Sequence, residues 1–89
     1  MIFNQFYIED AVADSRGLVL IGSVIYGSIQ IGMKCANFLD REVRINGIEV
    51  SNISTQSATV GQKVTDLSLS GTEGLEASLI SGNTLKFIN

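Results

Sequence analysis

Histidine and proline are absent from these 89 residues, and cysteine occurs once. Without histidine, neither a Ser-His nor a Cys-His nucleophile pair can be assembled. A zinc site of Cys and His ligands fails for the same reason, with Cys35 the only thiol. One cysteine closes no intramolecular disulfide, and its neighbours Met33, Ala36 and Phe38 mark it as a small buried hydrophobe. No stretch approaches the ~20 apolar residues that a membrane-spanning helix needs. The start, Met1-Ile2-Phe3-Asn4-Gln5, lacks the basic and apolar regions of a signal peptide, so the expectation is a cytoplasmic chain away from membranes. A phosphate loop is missing as well. Gly32-Met33-Lys34 and Gly61-Gln62-Lys63 have neither the spacing nor the hydroxyl that cradle phosphate and Mg²⁺. No free nucleotide, cofactor or metal is expected.

Basic charge is scarce too. Six Lys and Arg stand against nine Asp and Glu, a net charge of −3, which disfavours nucleic-acid binding by counterion release. The nearest thing to a basic patch is Lys34, Arg41 and Arg44, interrupted by Asp40 and Glu42. Two carboxylates can serve as acid and base, and Glu9 and Asp10 are the pair to consider for a small hydrolase. As neighbours on a strand they are expected on opposite faces, where they share no site. No catalytic residue is assigned, and the chain is not expected to be an enzyme.

What is present is glycine and short apolar runs. At this length one domain spanning residues 1–89 is expected, with 45% hydrophobic residues supporting a small core. Gly17, Gly22, Gly27 and Gly32 recur every five residues, and between the glycines lie runs rich in Val, Ile, Leu, Phe and Tyr. That is the strand signature. Strands are expected over 6–13, 18–26, 29–31, 33–39, 42–50, 63–70 and 84–88, with Phe6, Ile8 and Val12 sharing the inner face of the first. Residues 51–57 read as a long polar loop, and 75–80 hold the one candidate helical turn. About six strands with short turns imply an all-β fold, a small closed antiparallel barrel of six or seven strands. The strand at 18–26 is apolar on both faces, so the chain itself, through Ile53, or a partner must cover the outer one.

The order of these elements resembles a known family, the translational GTPases, in their second, β-barrel domain of the elongation factor Tu-like kind. The matching residues run Phe6-x-Ile8-Glu9-Asp10, then Arg16-Gly17-x-Val19-x-x-Gly22-x-Val24-x-x-Gly27-x-Ile29-x-Ile31-Gly32. Val43-x-Ile45-x-Gly47-Ile48-Glu49, Ala58-x-Val60-Gly61, Val64, Leu67-x-Leu69-x-Gly71 and Leu79-Ile80-x-Gly82-x-x-Leu85 follow in order. The resemblance covers nearly the whole chain, and its residues are turn glycines and core aliphatics, which specify a scaffold. It begins with the barrel, so no GTPase domain is expected.

In the large relatives this domain packs on the GTPase domain and contacts the small ribosomal subunit, and in tRNA carriers it helps hold the acceptor end. The resemblance therefore implies a non-catalytic binding module that docks on a protein or ribonucleoprotein partner. Its contact residues are expected among Tyr26, Lys34, Arg41 and Arg44. One departure is the 51–57 loop, which carries no Lys or Arg with which to touch RNA. The alternative is a structural protein that forms a homo-oligomer through its apolar second strand.

Overall fold

Period-two alternation of apolar residues, broken by glycine and short polar runs, builds strands and little else. The computed structural model describes residues 3–15, 17–76 and 82–88, and every regular element among them is a strand. They are β1 (Asn4–Asp14), β2 (Gly17–Tyr26), β3 (Ser28–Gln30), β4 (Lys34–Cys35), β5 (Arg44–Val50), β6 (Ile53–Thr55), β7 (Ser57–Thr59), β8 (Lys63–Ser70) and β9 (Thr84–Ile88).

Antiparallel pairing runs β4-β9-β1-β2-β8-β5, and β4 pairs back onto β5. The six strands therefore form a closed ring, the expected barrel. β6 folds back on β5 as a hairpin arm outside the ring, and β3 with β7 makes a separate two-stranded ribbon. Closure depends on the shortest element, since Lys34 of β4 pairs with Arg44 on one side and Ile88 on the other.

Inward residues of the ring strands fill the barrel. Phe6, Ile8, Val43, Val64, Leu67 and Phe87 are among those wholly removed from solvent. Each such side chain contributes roughly 1.5–3 kcal/mol through burial. Thr72 is the one buried polar residue among those described. It accepts a hydrogen bond from the Leu18 N–H at 2.8 Å and donates to the Leu69 carbonyl at 3.3 Å, tying the start of β2 to the end of β8.

Four expectations need correction. Val12 is half exposed, because a bulge between Ile8 and Asp10 inserts one residue and flips the face of everything after it. The strand expected over 33–39 stops at Cys35. Beyond it the Asn37 side chain takes over, its Oδ1 accepting the Lys86 N–H at 2.7 Å and leading the chain away from the sheet. The expected loop at 51–57 is largely strand. Ser51 and Asn52 adopt φ of 54° and 63°, a pair of left-handed residues that turns β5 tightly into β6. Ile53, expected to cover β2, is 70% exposed and covers nothing. The helical turn expected at 75–80 falls largely on residues 77–81, which lie outside the described residues.

Candidate docking surface

Lys34 and Arg44 are brought side by side at the barrel seam as directly opposed residues of β4 and β5. Arg44 is held from both sides. It donates to the Gly32 carbonyl at 2.8 Å and pairs with Glu42 at 2.7 Å. That hydrogen bond first, and the Arg44 charge second, hold the Glu42 carboxyl below its ordinary range, with Lys34 adding a smaller pull.

Arg41 lies in the loop that follows β4. Its guanidinium donates to the carbonyls of Gly71 at 3.4 Å and Glu73 at 3.0 Å, and Asp40 stands 4.0 Å from Nε. Lys34 and Arg41 share the rim of a shallow depression of about 500 Å³ with Asp40 and Glu42, and Phe38 and Ile88 also line it. Beside them Leu39 is 95% exposed. The loop presenting it is fixed at both ends: Ala36 N–H donates to the Lys86 carbonyl at 2.8 Å, and Arg41 grips the 71–73 segment. Leu39 is thus presented from a fixed loop, directly ahead of Asp40, Arg41 and Glu42.

Tyr26 does not belong to this group. It ends β2 opposite Gln5, and Gln5 in turn lies opposite Lys86 of β9. Half exposed, it follows Ile25 on the outer side of a second bulge. The remaining outer face of β2, formed by Val19, Ile21 and Ser23, is half buried by its neighbours in the sheet. Leu39 is not among the expected contact residues because the strand expected over 33–39 includes it. The run Leu39-Asp40-Arg41-Glu42, one aliphatic followed by three charges, is the signal that marks a loop there.

The carboxylates are structural. The bulge puts Glu9 and Asp10 both on the outside, contrary to the expectation of opposite faces. Each is already engaged: Glu9 pairs with Lys63 at 3.1 Å and accepts from Ser23, while Asp10 accepts from the Ala11 N–H at 2.9 Å. Burial pushes the Cys35 thiol up to about 11, against a smaller opposing effect of a hydrogen bond from the Asn37 backbone, so it stays protonated and inert. Among the described residues no three His, Cys, Asp or Glu side chains gather to hold a metal ion. No described helix is long and apolar enough to cross a membrane.

No family model matches this chain, and no curated protein matches it. Among solved structures it is similar to translation elongation factor SelB from Methanococcus maripaludis in the apo form. The TM-score is 0.74 and the sequence identity 17%, over 97% of this chain. The chain spans 18% of the length of that protein. Identity this low speaks for fold alone, and the fold is a translation-factor-type β-barrel.

Proposed function

We propose that this chain is a non-catalytic binding module of the cytoplasm, a translation-factor-type barrel that docks on a protein or ribonucleoprotein partner. The observation carrying this reading is the likeness of nearly the entire chain to part of a translation elongation factor. The scaffold is thus one that serves within a translation factor, and Glu9, Asp10 and Cys35 are tied into an ion pair, a backbone contact and the core. Lys34, Arg41 and Arg44, with the exposed Leu39 beside them, form the principal contact surface; Tyr26 forms a second, separate contact on the β2 edge.

The arrangement suits a macromolecule better than a small ligand, because the depression is open and its rim carries both signs of charge. Rim charges of this kind act mainly on association rate and partner choice. Gradient sedimentation of extract from the cell that makes the protein tests the reading. The wild type is expected to travel with a heavier partner, and the Lys34→Glu, Arg41→Glu double variant to shift to the top of the gradient. Wild-type protein found only at the top, or a double variant that travels unchanged, refutes it.

A further inference from the structure

Two cross-strand pairs of like charge sit at the two ends of β5. At its start Arg44 lies directly opposite Lys34 of β4; near its end Glu49 lies directly opposite Asp66 of β8. Opposed like charges destabilise a sheet. All four point outward, since Cys35, Val43, Ile45, Ile48 and Leu67 take the inner positions beside them and the bulge between Ile45 and Gly47 keeps Arg44 and Glu49 on one face.

Relief within the chain is partial. Glu42 offsets Arg44, but the Lys34 ammonium has no ion pair among the described residues. At the other end Asp66 accepts a hydrogen bond from Ser68, and among the described residues no cation pairs with Asp66 or Glu49.

The outer face of β5 is therefore a strip, positive at one end and negative at the other, with the ends roughly 15 Å apart at ~3.3 Å per residue. Its middle is a shallow hollow. Gly47 contributes no side chain there, and Ile31, 39% exposed, is held alongside by its N–H to the Gln56 carbonyl at 3.1 Å. Ile31, Gly47, Glu49 and Asp66 line one depression of about 350 Å³.

We propose that this strip is a self-recognition surface, on which a second copy of the chain docks antiparallel. Lys34 and Arg44 of each copy then meet Glu49 and Asp66 of the other. A two-fold axis near Asn46 and Gly47 lays the positive end of one strip on the negative end of its mate, and the pair closes with the commonest symmetry. Other occupants match one end only. A phosphate backbone attracted to Lys34 meets Glu49 and Asp66 further along, and a uniformly basic partner is repelled at Lys34 and Arg44. The surface is distinct from the apolar face of β2. The inference goes beyond the docking reading, with which it shares Lys34 and Arg44, and the readouts of the two are separate.

Two convex barrels touch over a small area, so the dimer is weak and its charge contacts are screened by salt. The test is sedimentation equilibrium of the full chain at about 20 mM and about 0.5 M salt. At low salt the mass is expected to rise towards that of a dimer with concentration, and high salt weakens the association about tenfold or more. Lys34→Glu and Glu49→Lys each remove an end of the strip and weaken self-association by a similar factor. Neither side chain has an ion pair among the described residues, so both variants are expected to fold, as circular dichroism will check. Mixed in equal amounts they retain one intact set of contacts and form a mixed dimer tighter than either variant forms with itself. A wild type that stays monomeric at low salt and high concentration overturns the proposal. So does a mixture of folded variants that fails to associate. Neither result touches the docking reading, which is read from a gradient of cell extract.

Discussion

Gly22 and Gly47 look alike in sequence, each mid-strand between aliphatic or polar neighbours, yet the barrel gives alanine opposite fates at the two positions. A Cβ at Gly22 would collide with the carbonyl oxygen of Tyr7 on β1, and would stand 2.9 Å from Cζ and 3.0 Å from Cε2 of Phe6. The first neighbour is backbone locked in the β1–β2 ladder; the second is a core ring with no exposure, so neither can step aside. Overpacking of this kind costs about 1–3 kcal/mol and occasionally more. We expect Gly22→Ala to fall near the upper end, about 2–3 kcal/mol, and Gly22→Val to exceed it. At Gly47 a Cβ meets only Ser68, at 3.8 Å, an ordinary contact. Gly47→Ala should therefore be neutral, or stabilise by up to about 1 kcal/mol through the lost freedom of the unfolded chain. Urea unfolding reads the difference. With a slope of about 1 kcal/mol per molar for a chain this small, the Gly22→Ala midpoint drops by about 2 M while Gly47→Ala holds. Equal midpoints for the two alanine variants would refute the close crossing of β1 and β2 at Gly22.

Three further outcomes are expected. Thr72→Val strands the buried Leu18 N–H without its acceptor and costs about 1–3 kcal/mol, seen as a lowered melting temperature, while Thr72→Ser keeps the hydroxyl and most of the stability. Cys35, raised from 9.0 to about 11 by burial, should resist thiol reagents until the protein unfolds. A raised thiol pKa stabilises the fold fully below the unfolded value near 9 and loses that contribution as pH climbs to about 11. Cys35→Ala should therefore flatten part of the alkaline decline in a pH series of unfolding curves. Lacking a phosphate loop, the chain should release no measurable heat on titration with GTP, and micromolar affinity would overturn the reading of its glycines.

The barrel was legible in sequence wherever a β-rich run was bounded by turn residues. The run at 63–70 shows Val64, Leu67 and Leu69 inward and is recovered end to end, as is 84–88 with Leu85 and Phe87 inward. Bulges hide which face a residue takes. One inserted residue in β1 sends Val12 to solvent and puts Glu9 and Asp10 together on the outside, and nothing in the composition of that segment announces it. The turn into β6 was missed because Ser51-Asn52 carries no glycine, although Thr65 supports it by accepting the Asn52 N–H at 3.0 Å. On the candidate surface, local charge counting found Lys34, Arg41 and Arg44, which fall at one end of the barrel. It could not find their internal partners, Gly32, Gly71 and Glu73, since these depend on chain crossings of up to 32 residues. Tyr26 was grouped with them by residue type, and the register puts it on another part of the surface.

In the proposed function the barrel docks a partner through the end that bears Lys34, Arg41 and Leu39. Photo-crosslinking in the cell that makes the protein tests it directly, with the reactive residue placed at Leu39 and, as a control, at Val12, also exposed. A defined adduct with one protein or ribonucleoprotein component is expected from position 39, lost in the Lys34→Glu, Arg41→Glu background, with only diffuse background from position 12. Identical diffuse patterns from the two positions would contradict it.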